Sequence, residues 1–136
     1  MRTIVLQIHY KNIELTRECR LTLIDSEELC VIDITVENQT TRYEADSFFQ
    51  ALVEIRQDLE KEGGIIQCNG SDRRVFPSPL QMAMGGEKAY LLELGRQARI
   101  QNVYNIFDTD KSDLDCVTVL EQREFYNQWF HSLGNQ

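Results

Sequence analysis

Residues 19–36 read Cys19-Arg20-Leu21-Thr22-Leu23-Ile24-Asp25-Ser26-Glu27-Glu28-Leu29-Cys30-Val31-Ile32-Asp33-Ile34-Thr35-Val36. The first seven alternate apolar and polar, the period of a strand with one buried face. The last eight are dense in Val, Ile and Thr, which fit a pleated surface better than a helix. Asp25-Ser26-Glu27-Glu28 between them is a short polar turn. Two strands joined so closely must run antiparallel, because a parallel return needs a crossover of a dozen residues or more. The stretch is an antiparallel hairpin with Cys30 as a small buried hydrophobe.

Upstream, residues 3–10 are rich in Ile, Val and Leu and read as a first strand. Downstream the period changes. Ala45, Phe48, Phe49, Leu52, Ile55 and Leu59 recur at three and four, one face of a helix over about 45–62. Thr41 with Glu44 has capping-box spacing, and Asp46 is a competing cap. Gly63-Gly64 supplies the left-handed stop. Residues 65–68 are a short strand. Residues 69–87 hold both prolines and little periodicity, which predicts a long loop with at most a helical turn. Strands are expected at Lys88–Leu94 and 102–107, with an acidic loop at 108–115 between the latter and a last helix. That helix starts near Thr118, whose spacing to Glu121 is a capping box. Phe125, Trp129 and Leu133 share one of its faces, Tyr126 and Phe130 lie beside it, and Gly134 closes it. The expectation is an α+β domain: one antiparallel sheet of four to six strands with two main helices packed on it, spanning 1–136.

The chain has 136 residues, 22 acidic and 14 basic, for a formal charge of −8. A field of that sign repels phosphate backbones and anionic lipid, so neither nucleic acid nor membrane is an expected partner. It favours a basic protein partner, unless it serves solubility alone. The opening residues lack the run and cleavage site of a secretory signal, and no apolar stretch approaches a membrane span. The reading is cytoplasmic. Cys19, Cys30, Cys68 and Cys116 are then expected as free thiols, and their wide spacing is not that of a zinc site.

Catalytic patterns are scarce. Asp108, Asp110, Ser112 and Asp113 place oxygens on alternating residues as a calcium loop does. Asp113 stands where that loop needs Gly, and Val119 where it needs a bidentate Glu. Gly85-Gly86 lacks any phosphate-loop context and reads as a turn. His9 and His131 lie at opposite ends of the chain, with no nucleophile at a meaningful spacing from either. No cofactor is expected.

Two acidic stretches are candidate partner surfaces: Glu54, Asp58 and Glu62 on the outer face of the first helix, and Asp108, Asp110, Asp113 and Asp115 in the acidic loop. Binding energy concentrates in a few aromatic or arginine anchors. Arg73, Arg74 and Phe76 are the candidate anchors, with Tyr104 and Tyr126 if exposed. Arg73 and Arg74 have a second reading, as ties holding the loop to nearby carboxylates.

The run Arg74-Val75-Phe76-Pro77-Ser78-Pro79-Leu80-Gln81-Met82-Ala83-Met84-Gly85-Gly86-Glu87-Lys88-Ala89-Tyr90, then Leu94-Gly95-Arg96-Gln97-Ala98 and Asn105-Ile106-Phe107-Asp108, resembles a family of small uncharacterised bacterial cytoplasmic proteins. That family has an aromatic-Pro-Ser element, a Met-Gly-Gly turn and a Lys-Ala-Tyr strand. In size and acidity the chain also resembles immunity proteins of bacterial toxin systems. That resemblance implies toxin neutralisation by complex formation with a basic toxin domain. The alternative is a small enzyme or ligand-binding domain using the 69–87 loop. The sequence leaves the oligomeric state open.

Overall fold

The computed structural model describes residues 1–134. Strands β1 (Arg2–Tyr10) and β2 (Leu15–Asp25) pair antiparallel from Arg2 opposite Leu23 to Tyr10 opposite Leu15. β3 (Cys30–Val36) pairs with β2, so the expected hairpin is present, and Ser26 closes its turn through Leu29. β4 (Gln39–Ala45) and β5 (Gly64–Gln67) flank them, giving the order β4-β3-β2-β1-β5. Alternation along these strands sends Ile8, Leu21, Ile32 and Ile66 to one face, each 0% exposed. Helix α1 (Phe48–Glu60) lies on that face with Phe49, Leu52 and Ile55 inward.

A second sheet, β6-β7-β8, is made by Val75–Phe76, Lys88–Leu91 and Val103–Asn105. The short α2 (Pro79–Ala83) joins its first two strands, and α3 (Val119–Leu133) packs beside β6. The molecule is α+β as expected, with two sheets where one was anticipated.

Three expectations are corrected. β4 was not foreseen, and the cap spacing at Thr41 and Glu44 belongs to this strand rather than to a helix start. Glu37 and Asn38 both take positive φ, 49° and 68°, and return the chain as a two-residue hairpin turn. The helix therefore waits for Ser47, not Asp46, whose Oγ accepts the Gln50 N–H at 3.0 Å. Glu62 consequently lies past the helix end, in the turn that Gly63 (φ 78°) completes.

Residues 69–87 are more ordered than a long loop. Asn69–Ser71 form a buried 3-10 turn, β6 follows, and Ser78 caps α2 in a reciprocal box with Gln81. Gly85 and Gly86 make the predicted turn. Gly85 O accepts the Phe48 N–H at 2.7 Å, and a Cβ on Gly86 would come within 2.8 Å of Ser47 Cβ. The turn thus seats on the start of α1.

The later strands are shorter than expected. β7 ends at Leu91, and β8 ends at Asn105 because Ile106 and Phe107 turn inward and are 0% and 4% exposed. Thr118 and Glu121 form the predicted capping box of α3. That helix buries Gln122 rather than an apolar stripe, while Phe125, Trp129 and Leu133 stay half-buried.

Candidate partner-binding site

The acidic loop is built from the inside out. Lys111 turns inward and its Nζ meets Asp72 Oδ2 at 2.9 Å, with the two side chains 2% and 0% exposed. A buried ion pair persists only when its remaining hydrogen-bonding capacity is met. Here Asp72 Oδ1 accepts the Arg74 N–H and Oδ2 the Asp115 N–H, while Lys111 Nζ also donates to the carbonyls of Ser112 and Asp113. Asn69, 0% exposed, donates through Nδ2 to Asn105 O and Asp110 Oδ1 and accepts the Lys111 N–H. Backbone bonds from Asn69 N–H to Asp108 O and from Arg73 N–H to Asp115 O close both ends. Residues 108–115 are irregular but fixed.

Beneath this loop a second polar cluster joins α1 to α3. Arg56 donates to Gly70 O, Val117 O and Gln122 Oε1, at 3.1, 3.0 and 2.6 Å. Gln122 Nε2 lies 2.8–2.9 Å from the carbonyls of Gly70, Asp72 and Val75. Burial pushes the Arg56 guanidinium below its ordinary range, and its Nε has no partner among the described residues.

The candidate acids separate by what they hold. Asp115 pairs with Arg73 at 2.9 Å, and Asp110 is tied to Asn69. Asp108 and Asp113 are exposed and have no side-chain bond within the described residues. On α1, Asp58 accepts from Tyr43 Oη at 2.8 Å and pairs with Lys61, contacts that hold its carboxyl below the usual range. Glu54 is half-buried, and Glu62 lines a hollow of about 320 Å³ with Tyr10, Arg17 and Glu37. The structure therefore does not align Glu54, Asp58 and Glu62 as one helical row.

The candidate anchors separate too. Arg73 bridges Asp115 and Glu121, so the reading of it as a tie to carboxylates describes it, while Arg74 is exposed. Phe76 is half-buried. Its ring meets Phe49 edge-on at 5.1 Å and stacks on Tyr126 at 4.2 Å, with Trp129 next in line. Phe76, Tyr126 and Trp129, with Pro77, Pro79, Tyr90, Leu92 and Ala98, bound an apolar cleft of about 60 Å³ between the second sheet and α3. Trp129 Nε1 donates to Arg96 O, fixing the indole in the wall. Arg123 lies over the Phe76 ring at 5.1 Å. Phe76 and Tyr126 were legible as candidates. Tyr90, Arg96, Arg99 and Arg123 were not, although the spacing of Arg123, Tyr126 and Phe130 marks one helix face.

The four cysteines are free thiols. Burial raises all of them, Cys19 and Cys116 to about 12, which holds them protonated and poorly nucleophilic at neutral pH. Among the described residues no cluster of His, Cys, Asp and Glu has the geometry of a metal site, and no helix is long and apolar enough to cross a membrane. No known family model matches the chain, and no curated protein is significantly similar to it.

Proposed function

We propose that this chain acts in the cytoplasm by complex formation, as a toxin-neutralising immunity protein or a related protein-binding module, and that its partner is a basic protein domain. The observation that carries this reading is the fixed acidic loop. Lys111, Asp72 and Asn69 hold the backbone of residues 108–115 in place, so Asp108 and Asp113 project charge from a chain that need not be ordered on binding. Charges so placed raise association rates more than they slow dissociation. The 69–87 segment supports an enzyme or small-ligand site less well, because Asn69, Ser71 and Asp72 are 0% exposed and face inward.

The test replaces Asp108 and Asp113 by Lys, sparing Asp110 and Asp115, which hold the loop. Binding kinetics are then followed against salt with the C-terminal domain of the protein encoded immediately upstream. The expected result is an association rate at least about tenfold lower at low salt, converging with wild type as salt rises. Failure of the unaltered protein to form a complex with that domain on co-expression sinks the immunity reading. Complex formation with an unchanged association rate removes this loop from the interface.

A further inference from the structure

The aromatic cleft carries a second inference, independent of the acidic loop and opposite to it in charge. We propose that the cleft between β6, β7 and α3 docks an extended acidic peptide segment that inserts a proline-sized side chain.

The cleft's shape limits the occupant. Its walls are Phe76, Pro77, Pro79, Tyr90, Tyr126 and Trp129, and its volume is about 60 Å³. That is well below the roughly 150 Å³ of a cavity that takes a benzene ring, so the cleft suits one small apolar side chain. Flat rings framing a narrow apolar slot suit an extended proline-bearing chain, which is already ordered before it binds. The surroundings extend the apolar surface: Phe130 is 60% exposed beside Tyr126, and Leu94 and Ile100 are 53% and 83% exposed on the loop that contributes Ala98. Exposed apolar residues on the elements that form the cleft suit it to an interaction surface.

Charge selects the class of peptide. The chain carries −8 overall, yet arginines gather here. Arg123 lies over Phe76, Arg96 and Arg99 bracket Ala98, and Arg74 leads into β6, where its carbonyl accepts the Leu92 N–H. Arg96 holds Glu93 at 3.6 Å. Exposed Arg74, Arg99 and Arg123, like Arg20 on β2, have no carboxylate within 4.0 Å among the described residues, whereas Arg2, Arg17 and Arg42 each have one and Arg73 has two. Unpaired guanidinium groups beside an apolar slot complement carboxylates flanking the inserted residue. Arginines and rings also suit single-stranded nucleic acid. The small apolar slot, which suits one inserted side chain rather than a run of stacked bases, favours the peptide.

Trp129 is the only tryptophan in the chain and forms one wall, so its emission reports occupancy directly. The probes are the synthetic peptide Glu-Asp-Pro-Ala-Pro-Asp-Glu, the same peptide with lysine at every acidic position, the same with glycine for both prolines, and an octamer of uridylate. The acidic proline peptide is expected to change Trp129 emission saturably, with affinity falling as salt rises. The double variant Arg99→Glu, Arg123→Glu is expected to weaken it by at least about tenfold while leaving the unfolding midpoint near wild type. Equal response to the lysine peptide, equal response to the glycine peptide, tighter binding of oligouridylate, or no response to any probe up to about 1 mM would each overturn the proposal. None of these outcomes depends on a basic partner at the acidic loop.

Discussion

The five-stranded sheet with α1 and the segment from Asn69 to Leu133 are held by different forces. In the first, Ile8, Leu21, Ile32, Leu52 and Ile66 interlock as an apolar layer supplied by β1, β2, β3, β5 and α1. In the second, strands of two to four residues supply less of that, and Arg56 reaches in from α1 to bond Gly70, Val117 and Gln122. Asp72, Lys111, Asn69 and Gln122 are buried there alongside Val75, Leu92 and Ile106. Apolar packing is non-directional and tolerates a substitute of similar volume. A buried polar network is directional, and removing one member strands the rest.

The sharpest test of that contrast exchanges side chains of similar size in each region. Lys111→Met keeps the length but leaves Asp72 with its nearest cation gone, in a site that is 0% exposed. The expected loss is about 3–5 kcal/mol in urea unfolding, the range for breaking a buried pair. Ile32→Leu in the center of the apolar layer should cost under about 1.5 kcal/mol by the same measurement. Equal losses would erase the distinction. The double variant Asp72→Asn, Lys111→Met removes both charges while keeping an acceptor at position 72, and it should recover part of the single variant's loss if charge rather than shape is responsible.

The join between the regions gives smaller effects. Ser47 caps α1 and touches Met82 Sδ at 3.5 Å, beside the Gly85-Gly86 turn. Ser47→Ala is expected to cost about 1 kcal/mol and to loosen amide protection in both α1 and the 82–86 turn. Loss confined to α1 would show that the turn seats without it.

The smallest effect is set by pH. Glu87 bonds to Arg2 and Asn105, linking β1 to the second sheet, and its carboxyl lies below its ordinary 4.5, chiefly through the Arg2 bond. A depressed folded value means the contribution is complete above 4.5 and is lost as pH falls through the lower folded value. Glu87→Gln should therefore reduce the difference in unfolding midpoint between neutral and acid solution. An unchanged pH profile would mean this tie contributes nothing.

The same contrast explains what was legible beforehand. The β2–β3 hairpin and the body of α1 were readable because period 2 and period 3.6 each repeat over enough residues to be unmistakable. β4 was missed because Gln39-Thr40-Thr41-Arg42 is polar on both faces and its Thr41 and Glu44 mimic a cap. The buried turn at Asn69–Ser71 was misread as loop for a physical reason. Its polar residues look solvated in sequence, and contacts 14, 36 and 41 residues away, with Arg56, Asn105 and Asp110, satisfy them. Of the candidate site, Phe76 and Tyr126 were found as individual aromatic residues. Their assembly with Tyr90 and Trp129 depends on how three short strands stack against α3, which no local pattern encodes.

Lys111 has a practical consequence for anyone building on this scaffold. Residues 108–115 carry the composition that protein engineers choose for splicing in an epitope or opening new termini, yet their midpoint is anchored in the interior. An insertion there would draw the ammonium group away from Asp72 and release the chain on both sides. The turn from Lys11 to Glu14, exposed throughout and joining two strands already zipped together by nine residue pairs, is where added sequence should be accommodated.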